Sequence, residues 1–287
     1  MPPDTIPFLE WFVRSSWGLG FAALWGALWG SFANVCVHRL PRGLSVVRPA
    51  SHCPSCQTAI EWYDNLPMLS FLLLRRRCRA CRVAISWQYP LVELLATVLT
   101  VLAFGRLVLH GPGELPLQLA RFVVYAHFQL VLLTLAAIDV EHMLLPDRVT
   151  LPGIAVFFLL GRLLGDVTLV ESLLGMTAGY GVIWLIAELY YRLTGREGLG
   201  LGDGKLLALI GVLLGWQALP WSLLTGSVLG SLLAVPWLLV RQRRGATETM
   251  RHVAIPFGPF LAIGAVVYLL LLFGRSLDEI VSHLPML

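Results

Sequence analysis

Two aspartates stand at the edges of long apolar segments. Asp139 follows the run FVVYAHFQLVLLTLAAI, and Asp203 lies in GLGLGDGK, where a short apolar run begins. An ionisable residue at the edge of a membrane helix is costly, so function or pairing is its default explanation. Two carboxylates that lie close together share one proton and titrate as a unit. The ionised member can activate a water while the protonated member polarises a carbonyl, which is the chemistry of an aspartic protease.

The glycines before Asp203 bear on the same chemistry. They remove side chains beside the carboxylate, so an extended peptide or another helix can approach it closely. That suits a protease, because a helical substrate has to unwind before its amide is accessible. HExxH is absent, and no serine and histidine arrangement stands out as a rival site. From spacing alone, catalytic pairing of Asp139 with Asp203 and separate structural roles are equal alternatives.

Further acids near predicted helix ends compete for these roles, although caps and salt bridges are the common explanation for acids there. They are Glu93, Glu141, Asp147 and Glu197. Asp147 follows Pro146 and precedes an apolar run, so an N-cap or first-turn position is predicted for it. His142 is interpreted as an interfacial side chain rather than a ligand.

Four of the five cysteines form two close pairs, CPSC with Cys53 and Cys56 and CRAC with Cys78 and Cys81. The pattern predicts tetrahedral Zn²⁺ held by four thiolates in a reducing compartment. Four thiolates leave no open coordination position, so the metal is expected to be structural and to stabilise a loop too small for its own core. Cys36 is interpreted as a small apolar helix residue.

The composition is that of a protein that folds in a bilayer. Of the 287 residues, 57% are hydrophobic and 13% are charged, and the mean hydropathy is +0.76. An average soluble domain has about 25% charged residues, so the polar shell of a soluble fold is missing here. The formal charge of +4 falls in clusters between apolar runs, and no nucleic-acid partner is expected.

A helix that spans a bilayer needs about 20 mostly apolar residues. The candidate runs are 16–37, 90–109, 118–138, 149–165, 168–192, 205–218, 221–240 and 254–274. The stretch from 206 to 240 is expected to break at Gln217 to Pro220, and that from 149 to 192 at Arg162, Gly165 and Asp166. The predicted fold is an all-α polytopic membrane protein with about eight transmembrane helices. Its predicted domains are a first helix (1–37), a four-cysteine domain (38–89) and a seven-helix membrane domain (90–287).

The distribution of Lys and Arg predicts the orientation of these helices, because cytoplasmic loops carry the excess. With eight helices and both termini outside, all but five of the 21 Lys and Arg residues lie inside. The five are Arg14, Arg106, Arg121, Arg162 and Arg275. The cysteine loop, Asp139 and Asp203 are therefore all expected on the cytoplasmic side. Arg14 directly precedes the first run without a basic leader segment, so the first helix is expected to be retained.

The first helix carries small residues at four-residue spacing, namely Ala22, Gly26, Gly30 and Asn34. Such a stripe lets a second helix approach closely and puts the Asn amide on the same face. Packing is the favoured interpretation. No internal repeat is expected.

The chain resembles the bacterial prepilin peptidases, bifunctional leader peptidases and N-methyltransferases of the GxGD aspartic class. The matching segments are GSFANVCVHRLPRG at 30–43, CPSCQTAIEWYDNLPMLSFLLLRRRCRACRVAISWQYPLVE at 53–93, DVEHMLLPD at 139–147, GLGLGDGKLLALIGVLLGWQALP at 198–220 and IPFGPFLAIGA at 255–265. A lone GxGD would be weak, but these segments in this order are specific. Two departures, Arg76 in place of a glycine and Ala33 in place of a bulkier residue, leave the motif chemistry untouched.

The resemblance implies cleavage of type IV prepilins or type II secretion pseudopilins after the glycine that ends a basic leader, at the bacterial inner membrane. It also implies methylation of the new N-terminal residue from S-adenosylmethionine. The family's two catalytic aspartates match Asp139 and Asp203. Its cysteine loop, which is associated with methyl transfer, matches the four cysteines at 53, 56, 78 and 81.

The site for the methyl donor is not assigned by the residues, because no GxGxxG follows a predicted strand. If the resemblance holds, residues 61–65 are candidates for contacts to the donor or the amine, with loop scaffolding as the alternative. They are Glu61, Trp62, Tyr63, Asp64 and Asn65. Two other functions stay open: a proton- or cation-coupled transporter that uses the paired aspartates, and a zinc scaffold without activity.

Overall fold

The computed structural model describes residues 5–195, 200–243 and 256–274, and within these ranges every regular element is a helix. The helices are α1 (Thr5–Arg14), α2 (Ser16–Arg39), α3 (Leu69–Leu73), α4 (Gln88–Phe104), α5 (Leu115–His142), α6 (Asp147–Leu164), α7 (Leu169–Thr194), α8 (Leu201–Leu214), α9 (Ala218–Arg243) and α10 (Gly258–Val267). Single π-helical turns extend α4 over Gly105–Leu109 and α10 over Tyr268–Leu272. Each of the eight apolar runs forms a helix. The short helix α1, which ends in an ion pair of Glu10 with Arg14, was not predicted.

Several of these helices are suited to a membrane. Within the described residues, four are long and apolar enough to cross one: α2, α4 with its extension to Leu109, α5 and α7. Two shorter apolar segments are Ala218–Leu233 and Gly258–Leu272. The protein is therefore an all-helical, multi-pass membrane protein.

Glycine, rather than proline, ends the helix that carries Asp203. The break was predicted at Gln217 to Pro220, but α8 already ends at Leu214 and Gly215 follows in the left-handed region at φ +79°. Pro220 lies in the first turn of α9, where a missing N–H disrupts no helical hydrogen bond. At the other predicted break, Gly165 caps α6 with φ +72°, as expected for a C-terminal glycine.

Internal contacts divide the chain into two compact units, Met1–Ile138 and Asp139–Leu287. In the first unit, α2 packs against α4 through the predicted stripe. A Cβ on Gly26 would lie 2.7 Å from the carbonyl oxygen of Ala96, and one on Gly30 would lie 2.7 Å from the Cα of Glu93. Farther along, the Asn34 amide donates to the carbonyl of Tyr89 at 3.0 Å. Small residues thus bring the two backbones together, as the sequence predicted.

In the second unit, α8 is the central helix. Gly204 and every residue from 206 to 214 are buried, and α6, α7, α9 and α10 all contact α8. The closest approach is at Gly175 and Gly211, where a Cβ on either would lie 2.3 Å from the carbonyl oxygen of the other. Gly179, one turn after Gly175, meets the backbone of Leu207 in the same way. This contact was not predicted, although the spacing of Gly175 and Gly179 is a recognised helix-packing signal.

We expect Gly175→Ala and Gly211→Ala to destabilise the protein, because each added methyl group has to push α7 away from α8. Overpacking of this kind costs about 1–3 kcal/mol. Thermal unfolding of the detergent-solubilised protein measures the effect. Gly181→Ala is the matched control on α7, since no atom lies within 4 Å of its added Cβ. A Gly175→Ala or Gly211→Ala protein as stable as this control would contradict the assignment of the tight contact.

Candidate active site and metal centre

Asp139 lies in the last turn of α5, and its side chain is buried. Its Oδ2 accepts a hydrogen bond of 3.0 Å from the N–H of Gly258, the first residue of α10. N–H groups in the first turn of a helix have no partner within the helix and favour a negative charge. A Cβ on Gly258 would lie 2.8 Å from Oδ2, so only glycine leaves room for the carboxylate. Asp139 is thus held by the start of α10.

Asp203 lies in the first turn of α8 and is partly buried. Glycines flank it on both sides. A Cβ on Gly202 would lie 3.3 Å from the side chain of Leu145, and one on Gly204 would lie 3.3 Å from side-chain atoms of Tyr180 and Ile183 on α7. These glycines therefore allow close packing of neighbouring segments, which is one of the two uses predicted for them.

The two aspartates belong to the same unit and interact electrostatically. They lie near enough for the negative charge of Asp139 to act on the carboxylate of Asp203. Like charges this near to each other favour a state in which only one carboxyl is charged, and the charged member can then activate a water. The second unit therefore brings together the two acids that the sequence singled out.

An ion pair connects α8 to the start of α6. Lys205 Nζ lies 2.6 Å from Oδ1 of Asp147, the first residue of α6. Asp147 therefore occupies the predicted first-turn position and has an ion-pair partner. No role was predicted for Lys205, which pairs with Asp147 rather than with either of the two aspartates.

The remaining rival acids have separate contacts. Glu93, in the first unit, accepts a hydrogen bond of 2.7 Å from the N–H of Met68. Glu141 lies 3.6 Å from the Nε2 of its neighbour His142. Glu197 lies outside the described residues.

The four cysteines predicted as metal ligands form a cluster in the first unit. All four Sγ atoms lie within 4.8 Å of one another, and those of Cys53 and Cys81 are 3.8 Å apart. Zinc–sulfur bonds of about 2.3 Å in a tetrahedron place the sulfurs about 3.8 Å apart. Cys36, in contrast, is buried in α2. The cluster therefore has the ligands and the spacing to bind a metal ion.

Two turns of the same design build the cluster. In the first, the N–H of Cys53 donates to Thr58, and the N–H of Gln57 donates back to Cys53. In the second, Cys78 donates to Val83, and Arg82 donates back to Cys78.

The turns are equivalent residue by residue. Gln57 and Arg82 both adopt left-handed backbones, at φ +59° and +60°, and the antiparallel bridges His52↔Ala59 and Arg77↔Ala84 flank the turns at equivalent positions. The expectation of no internal repeat was wrong: CPSCQTAI and CRACRVAI are two copies of one metal knuckle.

A bidentate ion pair connects the second knuckle to the turn at Trp62–Asp64. Nε and one terminal nitrogen of Arg79 each lie 2.6 Å from an oxygen of Asp64, and the guanidinium lies over the ring of Tyr63 at 5.5 Å. The hydrogen bonds from Arg79 hold the pKa of the Asp64 carboxyl below its usual range. The pair is therefore intact at neutral pH and weakens only on acidification. Trp62 remains 76% exposed beside Tyr63.

Comparisons with known proteins give matches along most of the chain. Residues 24–107 match the model of the bacterial peptidase A24 N-terminal domain, and residues 126–235 match that of the type IV leader peptidase family. A prepilin leader peptidase/N-methyltransferase of Aeromonas hydrophila is 39% identical over 283 residues, covering 89% of this chain and 91% of that protein. Proteins of the same name from Klebsiella pneumoniae (44% over 217 residues, 74% and 91%) and Pseudomonas putida (38% over 271 residues, 87% and 89%) are also similar. No solved structure matches the chain.

We expect the double variant Cys53→Ser/Cys56→Ser to lose its bound metal, because half of the ligands are removed. Metal analysis of the purified protein and the visible spectrum of its Co²⁺ derivative measure this, since tetrahedral thiolate coordination gives intense bands. Cys36→Ala is the matched control and should retain full metal content. Tetrahedral metal retained by the double variant would refute this ligand set.

Proposed function

The chain belongs to the prepilin leader peptidase/N-methyltransferase family, and from this premise we propose that Asp139 and Asp203 are its catalytic pair. The protein is a membrane peptidase with an associated N-methyltransferase activity. Its substrates are prepilins, whose leader it removes. The observation that carries the proposal is the convergence of the two acids in one unit, with Asp139 held by the N–H of Gly258. The comparisons support this peptidase and give no support to a transporter.

The contacts of the two aspartates suggest different roles for them. The N–H of Gly258 stabilises a charge on Asp139, so we assign Asp139 as the base and Asp203 as the holder of the shared proton. Asp139 removes a proton from water, whose oxygen attacks the scissile carbonyl carbon, while Asp203 donates its proton to the carbonyl oxygen. As the carbon–nitrogen bond breaks, the proton on Asp139 passes to the leaving amine. Reformation of the carbonyl returns the other proton to Asp203.

The family resemblance supplies the finer description of the substrate that we propose, and the distribution of Lys and Arg supplies the membrane arrangement. The leader is basic, the substrates are type IV prepilins or type II secretion pseudopilins, and cleavage takes place at the cytoplasmic face of the inner membrane. Eight crossings with both termini outside place the cysteine loop and both aspartates on that side. Within the described residues, four helices are long and apolar enough to cross a membrane, which supports a multi-pass arrangement.

The cysteine module belongs to the methyl-transfer half of the proposal. Residues 38–89 are proposed as one domain that holds structural Zn²⁺ at the four cysteines, between a first helix (1–37) and the peptidase helices (90–287). S-adenosylmethionine supplies the methyl group that is transferred to the new terminal amine. The exposed ring of Trp62 offers a face on which an adenine can stack, and the exposed Glu61 next to it suits a cationic amine.

We expect Asp139→Asn and Asp203→Asn each to lower leader cleavage by about 10²–10⁴-fold, because each removes one of the two proton-transfer groups. The assay incubates purified protein with a prepilin that carries a basic leader and a Gly–Phe junction. Asp166→Asn, the same change in the loop between α6 and α7, is the matched control and should cleave normally. Undiminished cleavage by either variant of the pair would refute the assignment.

Gly258→Ala tests the support of Asp139 without changing either acid. The added methyl group would lie 2.8 Å from Oδ2, so the carboxylate has to move and loses its hydrogen bond. A hydrogen bond to a charged group contributes about 1.5–3 kcal/mol, so we expect cleavage to fall by about 10–100-fold. Gly181→Ala, which meets no neighbour, controls for the change from glycine to alanine within a helix. Normal cleavage by Gly258→Ala would contradict the proposed role of this contact.

A further inference from the structure

A strongly cationic cleft lies beside the second metal knuckle. We call it the arginine cleft; its volume is about 610 Å³, and it is lined by Leu73, Leu74, Arg75, Arg77, Arg79 and Arg82. The backbone turns sharply at its edge, where Arg75 and Arg76 adopt left-handed conformations at φ +50° and +62°. Neither the peptidase chemistry nor the metal cluster uses the opening of this cleft.

The negative groups near the cleft do not neutralise all of its positive charge. Arg79 is paired with Asp64, and Arg76 lies over the ring of Trp87, but Arg75, Arg77 and Arg82 have no carboxylate partner among the described residues of the first unit. Five arginines lie between positions 75 and 82. Asp64 and a doubly negative zinc–tetrathiolate would together offset three of these charges and leave two. The cleft therefore suits an anion, and it disfavours both a basic leader and a cationic sulfonium.

An exposed apolar face adjoins the cleft. The leucines of α3 immediately precede the arginines, and Leu69, Leu72 and Leu73 are 58%, 69% and 76% exposed. Three such side chains on one short helix, next to a row of arginines, combine the two features of a segment that lies in a membrane interface.

The position of α3 places this face at the membrane surface. The N–H of Met68, directly before α3, donates to Glu93, which lies in the second turn of the candidate membrane span Gln88–Leu109. Phe71 of α3 packs against Trp87 at the start of the same span, with 5.0 Å between the ring centroids. These contacts hold α3 at the depth where the span Gln88–Leu109 emerges from the hydrocarbon core of the bilayer. The occupant of the cleft is therefore a component of the bilayer surface.

We infer that the arginine cleft binds the phosphate-bearing headgroup of an anionic phospholipid, while Leu69, Leu72 and Leu73 insert among the acyl chains. Arg75, Arg77 and Arg82 supply the charge, and the leucines distinguish the lipid from a soluble phosphate. The module is thereby fixed to the cytoplasmic leaflet by contacts separate from its metal.

Fluorescent phosphatidylglycerol, titrated into the full-length protein in neutral detergent, tests the inference through its anisotropy. The variant Arg75→Gln/Arg77→Gln/Arg82→Gln should bind it about 100-fold more weakly, as expected from the contribution of each arginine near an anionic surface. The charge-matched control Arg14→Gln/Arg121→Gln/Arg192→Gln should bind like the parent protein. Unchanged binding by the first variant, or an equal loss in the control, would overturn the proposed site.

Further binding experiments identify the ligand and distinguish the contribution of its headgroup from that of its acyl chains. Fluorescent phosphatidylcholine should bind far more weakly, and soluble glycerol phosphate should not displace the bound lipid at equal concentration. Displacement would assign the cleft to a soluble anion and overturn the membrane proposal. Leu72→Ser/Leu73→Ser should also weaken lipid binding, and unaltered affinity would overturn the insertion of α3.

Photo-cross-linking needs no loss-of-function variant, so its result cannot be confused with the effect of a misfolded protein. A photoreactive phenylalanine analogue in place of Leu73, in the otherwise unchanged protein, should cross-link to phospholipid in vesicles that contain phosphatidylglycerol. The metal content of each variant reports whether its module is intact. Absence of a lipid adduct at Leu73 in a protein with full metal content would overturn the inference.

Discussion

The close approach of helix backbones at glycines is the constraint on which the second unit depends. In a bilayer, lipid tails are as apolar as leucine, so helices associate through close packing and hydrogen bonds rather than through the removal of water. Gly175 and Gly211 bring α7 and α8 into backbone contact, and Ser172 adds a hydrogen bond of 2.7 Å to the carbonyl of Val212. Glycines also bring the backbones of α2 and α4 together in the first unit. Each of these contacts is lost if one side chain is added.

The position of both aspartates follows from that packing. Because α8 is buried from Leu206 to Leu214 and contacts four neighbouring helices, most of its length is fixed, and Asp203 lies in the turn directly before this buried stretch. Asp139 depends on a single glycine, since any side chain on Gly258 would occupy the place of its carboxylate. A catalytic pair has to be held within a fraction of an ångström of its working geometry. For the proposed pair, glycines that leave room for close packing, rather than a network of side chains, would supply that precision.

The sequence predicted the features that local patterns encode. Length and apolarity identified all eight apolar helices, and the two CxxC pairs identified the metal cluster. The small-residue stripe from Ala22 to Asn34 identified one helix contact. What remained hidden depends on long-range contacts: Gly258 lies 119 residues after Asp139, and no local signal shows that its N–H reaches the carboxylate. The break after α8 was misplaced because Pro220 was read as a breaker, whereas a proline in a first turn is compatible with the helix that follows.

The repeat of the two knuckles was missed for a different reason. Its sequence signal is only Cys-x-x-Cys-x-x-Ala-Ile, and the residues that take the left-handed backbone are Gln57 and Arg82 rather than glycine. The equivalence of the two turns is therefore clear from their backbone hydrogen bonds, whereas the sequence alone gives only a weak signal. Two matching knuckles bring the four thiol groups within 4.8 Å of one another.

A metal ion bound by all four cysteines would be limited in what it can contribute to methyl transfer. With every coordination position taken by a cysteine, it would have no place for a water, a carbonyl or the methyl donor. Its influence on the reaction would have to be transmitted by structure, and the ion pair of Arg79 with Asp64 offers such a connection. Arg79 lies between the two cysteines of the second knuckle, and Asp64 ends the turn that displays Trp62. A metal bound there would hold the second knuckle, which carries Arg79, and Arg79 holds the turn on which the methyl-transfer contacts are proposed.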